Sequence, residues 1–313
     1  MLRQWFVIAN LKAGRLHAQW GALQQQIAAA LPVGGWACTQ YSGHGMALAQ
    51  DAIAEGYRYI LAVGGDGTNH EVANGILQQP FAPPTSITYA LLPLGTGNDW
   101  SRTYGMPRRP ADALQLIARG TTRLQDAGLL HYHRTSGEAA SRYFVNVAGL
   151  AYDAFVVQRS IAEPAGQGGP LRYLSLVARC LFEYQLKEAI VTSEGQAWQD
   201  YFYTINLGIG RYSGGGMQLV PHAVPDGGTF ALTMAGPLSK AGVLLNTWRF
   251  YNGSIGRHPL VKTLHARQIT VSAAPGAAPT LLEADGEFLG QTPVRASICP
   301  AAFQFIAPQP QTT

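Results

Sequence analysis

Acidic side chains are scarce in this chain, 18 among 313 residues, so their placement carries information. Three of the nine aspartates precede glycine: Asp66-Gly67, Asp226-Gly227 and Asp285-Gly286. A fourth, Asp99, closes the run Gly95-Thr96-Gly97-Asn98. Asp-Gly is a common tight-turn dipeptide, so the surroundings decide what each pair does. Gly64-Gly65-Asp66-Gly67-Thr68 lies between an apolar run (57–63) and a helix expected from Asn69. Glycines let backbone amides approach a ligand, and a helix N-terminus adds unpaired N–H groups and a positive dipole end. The combination is a phosphate cradle. It lacks the Lys-Ser/Thr pair of a Walker loop and the GxGxxG spacing of a dinucleotide loop. A carboxylate inside such a cradle repels phosphates unless a cation intervenes, which suggests Mg²⁺ between Asp66 and the phosphates. Gly95 to Asp99 repeats the device after a second apolar run, and Arg102 follows one helical turn later. In a parallel sheet both loops emerge at the carboxyl edge, where ligands of open α/β folds bind. Asn10-Leu11-Lys12-Ala13-Gly14 is a third loop at that edge, and Thr39 ends another strand.

The second half offers two more chemical segments. Residues 219–228 (LVPHAVPDGG) form a proline-bracketed turn able to hold a cation through carbonyls and one carboxylate. Gly214-Gly215-Gly216, upstream, marks a flexible or closely approached backbone. Asp285-Gly286-Glu287 sits between Leu281-Leu282 and Phe288-Leu289, the pattern of a hairpin turn presenting Glu287 as a general base. His131 and His133 lack a third partner in sequence, and no GxSxG nucleophile elbow is present.

The elements that must position these residues divide into two textures. Strands are expected at 4–9, 35–39, 57–63 and 86–92, with helices at 16–31, 45–55, from 69, after 99 and at 111–118. This alternation predicts βαβ units and a parallel, Rossmann-like α/β sheet. From about residue 126 the chain turns to short β segments (143–148, 201–208, 228–234, 268–272, 294–298 and 303–306) with helices near 171–182 and 240–248. A β-rich domain of sandwich or barrel type is expected over 126–298. An α/β domain is expected over 1–125, completed by 299–313. Apolar residues make up 47% and charged residues 13%, which excludes intrinsic disorder. No Lys/Arg run exceeds two, which argues against a nucleic-acid binder, although the net charge is +4. The bases are 18 arginines and 4 lysines, a skew suited to phosphorylated ligands. Three scattered cysteines point to a reducing compartment. With no signal-peptide pattern and no membrane-length apolar run, a soluble cytoplasmic protein is expected.

Taken together, these motifs resemble the catalytic-domain family of diacylglycerol kinases, in its soluble bacterial branch. The resemblance rests on Gly64 to Thr68 followed by Glu71-Val72, then Pro93-x-Gly95-Thr96-x-Asn98-Asp99. The Pro221…Asp226-Gly227 turn and Asp285-Gly286-Glu287 follow in the same order. Asn146…Gly149…Asp153-Ala154 and Asn206…Gly214–Gly216 add to it, and it covers nearly the whole chain. It implies an α/β nucleotide domain and a β-sandwich domain with the active site in the cleft between them. It implies ATP as donor, Mg²⁺ as cofactor and a lipid acceptor, most simply diacylglycerol, met by peripheral contact at the inner membrane face; a homodimer is compatible with it. The implied ATP contacts are Asn10, Leu11, Lys12, Ala13, Gly14, Thr39, Gly64, Gly65, Asp66, Gly67, Thr68, Asn69, His70, Glu71, Gly95, Thr96, Asn98 and Arg102. Glu287 would be the base, with Asp66 and Asp99 the acids tied to catalysis. A structural Mg²⁺ would sit at Ala223, Asp226 and Gly228, the first and last through carbonyls. Two departures stand out: Leu11 replaces the proline of the first motif, and Gly43-His44-Gly45-Met46-Ala47 carries an apparent two-residue insertion after Thr39. Kinases for sphingoid bases, ceramide or phosphatidylglycerol, an NAD kinase and a non-catalytic sensor remain alternatives at this stage. Residues 162–171 are expected to form a bilayer-touching loop.

Overall fold

The computed structural model describes residues 4–12, 16–161 and 170–309. Ala13, Gly14 and most of the expected bilayer-touching loop lie outside the described residues. The chain divides into two compact units: Met1–Ala127 with Gly214–Gly216 and Cys299–Thr313, and Gly128–Ser213 with Met217–Ile298.

The first unit follows the alternation: β1 (Trp5–Ala9), α1 (Leu16–Ala30), β2 (Val33–Cys38), α2 (His44–Ala54), β3 (Tyr59–Gly64), α3 (Asp66–Gln78), β4 (Thr88–Pro93), α4 (Asp99–Thr103) and α5 (Pro110–Arg119). Strand order is β2-β1-β3-β4, all parallel. Successive strand side chains alternate in face. Val7, Leu61, Val63, Ala90 and Leu92 pack with Leu23 and Ile27 of α1 and Leu114 and Ile117 of α5. The intervening Ile8, Ile60, Ala62 and Leu91 are also fully buried, and α2 packs against α3. Both faces are therefore covered, which explains the near-continuous apolar strands. Pro110 opens α5 and Gly120 closes it at φ +71°, the usual proline-in, glycine-out asymmetry.

The second unit begins within β5 (Thr122–His133) and continues through β6 (Ala139–Phe144), β7 (Val147–Ala151), α6 (Tyr152–Ile161), α7 (Pro170–Glu183), β8 (Lys187–Ser193), β9 (Gln196–Phe202) and β10 (Thr204–Gly208). Then come β11 (Phe230–Ala235), α8 (Lys240–Asn246), α9 (Trp248–Asn252), β12 (Val261–Ala266), β13 (Gln268–Ala273), β14 (Leu281–Ala284) and β15 (Glu287–Ile306). Antiparallel pairing runs β12-β11-β10-β7-β14-β15. β9, β8 and β13 form a second antiparallel run that joins β15 at residues 294–297. Leu130, Phe144, Val191, Leu207, Phe230, Leu232, Val271 and Val294 share one core. The interior between packed strands is that of a β-sandwich.

Local expectations change: the expected segment 201–208 divides between β9 and β10, the expected helix 240–248 divides between α8 and α9, and three further changes bear on the site. The helix expected from Asn69 begins at Asp66, so Asp66, Gly67 and Thr68 form its first turn. The segment 143–148 is two strands, because the amides of Val145 and Asn146 donate to the Asp285 carboxylate rather than to a ladder. The segments 294–298 and 303–306 are one strand, β15, whose residues 287–298 belong to the second unit and 299–306 to the first.

Gly75 lets α2 and α3 approach closely. A Cβ there would lie 2.6 Å from the Met46 carbonyl oxygen and 2.7 Å from the Ala49 Cβ. Gly75→Ala is expected to destabilise by about 1–3 kcal/mol in urea denaturation, against the ~1 kcal/mol that alanine's helix propensity contributes.

Candidate functional site

In the first unit the site is built on two glycine turns that touch backbone to backbone. The Leu94 amide donates to the Gly64 carbonyl at 2.8 Å, carrying the β3/β4 register past the strand ends. A Cβ on Gly65 would lie 2.9 Å from the Gly95 Cα, and one on Gly95 would lie 2.5 Å from the Gly65 Cα. Asn98, in the left-handed region at φ 50°, closes its turn with its own amide: Oδ1 accepts from the Gly95 N–H at 3.0 Å and Nδ2 donates to the Gly95 carbonyl at 2.8 Å. Asn is one of the few non-glycine residues that tolerate this conformation.

Two carboxylates converge on the second turn. A Cβ on Gly97 would meet Asp66 Oδ2 at 2.9 Å and Asp99 Oδ2 at 3.4 Å. Asp66 Oδ1 accepts from the Trp100 amide at 3.2 Å, so the first loop's acid caps the helix that follows the second loop. Asp99 is 5% exposed. Its Oδ2 accepts from the Gly215 amide at 2.7 Å, Gly214–Gly216 being part of this unit. Its Oδ1 has no hydrogen-bond partner among the described residues and stands 3.8 Å from Arg102 Nε. Burial pushes the Asp99 carboxyl above the usual range, while the Gly215 amide, the Arg102 guanidinium and the Gly216 amide pull it down. Two carboxylates flanking a side-chain-free residue, one with an unsatisfied oxygen, fit a hard cation such as Mg²⁺. Beside them a cavity of ≈ 570 Å³ is lined by residues 93–98, Ser101, Arg102, Gly105, Met106 and Arg108. Thr96 is exposed on it. Arg108, a second cation on this cavity, gives no sequence signal, since it sits in an unremarkable Arg-Arg-Pro run.

The other expected nucleotide contacts divide by burial. Asn10 directly follows β1 and its side chain accepts from the Lys12 amide at 3.0 Å; Lys12 Nζ donates to the Gln40 carbonyl at 3.4 Å. The Thr39 amide donates to the Ala9 carbonyl, placing Thr39 just beyond β2. Leu11 is partly buried. Gly67 has open space where a Cβ would stand. The side chains of Thr68, Asn69 and His70 serve the interior. Thr68 lies over Gly64, Asn69 Oδ1 accepts from the Tyr89 hydroxyl at 2.7 Å, and His70 is fully buried. The Asn69 amide is also engaged, donating to the Gly65 carbonyl at 3.0 Å. Both Glu71 oxygens accept backbone amides at 2.7 Å, from Gly43 and Gly45. Glu71 thereby holds the start of α2, and the extra residues after Thr39 are organised around it.

In the second unit, Asp285 and Gly286 form the two-residue loop of the β14–β15 hairpin, at φ 52° and 86°, with Ala284 opposite Glu287. Both positive φ values match a type I′ turn. The Asp285 carboxylate accepts three amides: Val145 at 3.0 Å, Asn146 at 2.9 Å and Val147 at 3.1 Å. Glu287, at the start of β15, is partly buried. Glu283 was not anticipated. It is 3% exposed, its Oε2 accepts from the Gly286 amide at 2.9 Å, and its Oε1 fills the place of a Cβ on Gly149 at 2.6 Å. Burial drives its carboxyl well above the usual range against the Gly286 amide, with Asp153 and Asp285 adding to the rise. Asp153 accepts from the Thr204 hydroxyl. Burial pushes it up to about 6, against hydrogen bonds from Thr204 and Asn206.

The expected structural cation meets a competing charge. The Ala223 carbonyl accepts from Arg211 Nε at 3.1 Å, so a guanidinium already brings positive charge to that oxygen. Among the described residues no group of three acidic, histidine or cysteine side chains surrounds a common point. The turn offers one carboxylate, Asp226, beside the Ala223 and Gly228 carbonyls, and no chemical step is assigned to it.

Comparison with known proteins agrees with this division. Residues 4–130 match the family model of the diacylglycerol kinase catalytic domain, and residues 146–307 that of the YegS C-terminal NAD kinase beta sandwich-like domain. A relative named "Probable lipid kinase YegS-like" from Pseudomonas putida (strain ATCC 47054) is 31% identical over 207 residues, 66% of this chain and 65% of that protein. Another of that name, from Pseudomonas fluorescens (strain ATCC BAA-477), is 27% identical over 296 residues, 92% of each chain. The match to the Pseudomonas fluorescens Pf0-1 relative spans 64% of that protein's length. A crystal structure of a diacylglycerol kinase from Bacillus anthracis (strain Sterne) shares the fold at TM-score 0.72 and 22% identity, covering 98% of this chain and 97% of that one.

Gly95→Ala drives a methyl group into the Gly65 Cα. It is expected to lower nucleotide affinity at least tenfold by calorimetry while costing about 1–3 kcal/mol of stability. Asp153 yields a pH test. Its folded value lies above the unfolded value of 3.8, so its stabilising contribution is full below about pH 4 and lost as pH rises through about 6. Urea denaturation should show Asp153→Asn removing part of that loss, gaining on the order of 1–3 kcal/mol at pH 7.

Proposed function

Since the chain belongs to the diacylglycerol kinase catalytic-domain family, continued by a YegS-type C-terminal domain, we propose that it transfers the γ-phosphate of ATP to the hydroxyl of a lipid. Diacylglycerol, giving phosphatidic acid, is the first acceptor to test. The observation that carries this reading is the pair of abutting glycine turns with Asp66 and Asp99 on either side of Gly97. Phosphoryl transfer asks a protein for positioning and charge neutralisation more than for covalent chemistry.

Each group has a separate task. The backbone around Gly65 and Gly67 and the start of α3 hold phosphate oxygens, as helix N-termini do. Arg102 adds a cation at the second turn, on the cavity that also exposes Thr96. Asp66 and Asp99 would hold magnesium, which when bound supplies charge neutralisation on the transferred phosphoryl group. Glu287 accepts the proton of the lipid hydroxyl. That hydroxyl oxygen forms the new bond to phosphorus, the bond between the γ-phosphorus and the β–γ bridging oxygen breaks, and ADP leaves with its electron pair. Asp285 and Glu283 act indirectly, by fixing the hairpin from which Glu287 projects.

The test is ATP consumption with Mg²⁺ by wild type and Glu287→Gln. Micellar diacylglycerol, ceramide, sphingosine, phosphatidylglycerol and NAD serve as parallel acceptors. Glu287→Gln should fold, bind ATP and lose turnover by two or more orders of magnitude, since general-base catalysis contributes roughly 10²–10⁴-fold. Wild-type turnover in this variant would remove Glu287 from the mechanism. Turnover with NAD and with no lipid would remove the lipid kinase reading.

A further inference from the structure

The helices α8 and α9 present an apolar face that no other element covers among the described residues. Thr247 ends one and begins the other in right-handed helical conformation, φ −54° and ψ −35°, so the two run on with a tightened turn between them. α8 buries a single residue, Val243, and α9 buries none. Leu244, Leu245, Trp248 and Tyr251 are each more than half exposed. Their spacing of i, i+1, i+4 and i+7 puts them on one helix face. Phe182, at the end of α7, extends this face. It is more than half exposed, its carbonyl accepts from Lys240 Nζ, and that ammonium stands 5.7 Å from its ring centre.

The stretch of chain that carries α8 and α9 is basic. Residues 227–282 contain no aspartate or glutamate, whereas Lys240, Arg249, Arg257, Lys262 and Arg267 fall within them. Four of these five cations are exposed. The Arg249 guanidinium lies 4.9 Å from the Trp248 ring centre, keeping its charge beside the apolar face. Glu183, next to Phe182, is paired with Arg159 at 3.1 Å. Leucines flanked by tryptophan, tyrosine and basic side chains are the composition of a helix lying in a bilayer interface: the rings sit at headgroup level and the cations meet anionic lipid.

We propose that α8 and α9, with Phe182, form the surface by which this chain docks on an anionic lipid bilayer. The use of that docking rests on the lipid kinase reading above; the binding does not. This helical face is separate from the expected contact at residues 162–171, most of which lie outside the described residues.

The experiment is flotation of the full chain with vesicles of one-third phosphatidylglycerol in phosphatidylcholine, against pure phosphatidylcholine, with no ATP. Wild type is expected to float with the anionic vesicles at least tenfold more tightly than with neutral ones, and to be released by high salt. Leu245→Asp with Trp248→Asp should lose at least tenfold on anionic vesicles while melting at the wild-type temperature. Lys240→Gln with Arg249→Gln should lose the preference for anionic lipid. Equal flotation of wild type and the aspartate variant overturns the proposal, as does no flotation of wild type. Sedimentation equilibrium supplies a further check: a wild-type dimer that the aspartate variant splits would assign the face to a second copy and overturn it. A wild type that floats yet phosphorylates no lipid leaves the surface standing and removes the kinase reading.

Discussion

The contact between Gly65 and Gly95 is the constraint on which the first unit's chemistry depends. Two chain reversals at neighbouring strand ends can share one phosphate-sized space only if their backbones touch, and backbones touch only without side chains. The consequences spread outward. With the turns abutting, Asp66 reaches across to the Trp100 amide, and Asp66 and Asp99 come to flank Gly97. The same closeness explains why the helix after β3 starts at Asp66. The capping acid must sit at the first helical turn to bridge to the second loop. A methyl group at either glycine would move both carboxylates, because they are hung on the turns themselves.

A second theme is the use of acids as organisers of backbone. Glu71 accepts two amides at the start of α2, Asp285 accepts three between β6 and β7, and Glu283 accepts the amide of Gly286. Each leaves little capacity for a ligand. A carboxylate that satisfies several amides stabilises a loop no secondary structure could hold, and hydrogen bonds to charged groups are among the stronger ones, at about 1.5–3 kcal/mol. With 18 acids in the chain, those with oxygens to spare for a cation are correspondingly few. Arg211 belongs to the same economy of charge, its Nε donating to the Ala223 carbonyl at 3.1 Å.

Much of this was legible in the residues themselves, and the reasons differ by element. The glycine turns were readable because glycine, threonine and aspartate at fixed offsets between an apolar strand and a helix report a local geometry. So was the Asp285-Gly286 hairpin, where the two-residue turn type follows from the dipeptide. The break between β6 and β7 was not, since it is imposed by an aspartate some 140 positions away. Asn69 and His70 looked like ligands because they adjoin the cradle, and only the packing of α3 shows their side chains facing inward. Glu283 carries no local signature at all. What distinguishes it is burial, and burial depends on strands from distant parts of the chain. The continuity of β15 was hidden by Pro300, which reads as a break between two strands.

That last strand fixes when the first unit can be complete. Gln304 and Phe305 pair in parallel with Thr88 and Tyr89, and Phe305 packs its ring against Trp100 and Tyr104 at 5.0 and 4.6 Å. The outer edge of β4 and the wall behind the second glycine turn are therefore supplied by residues far downstream of β4 in the chain. The first unit is begun before the second and completed only after it. A fragment cut at residue 127 would carry every motif of the cradle and still lack the strand that shields it. In the cell the edge of β4 waits unpaired through about 210 residues of translation, from Pro93 to Gln304.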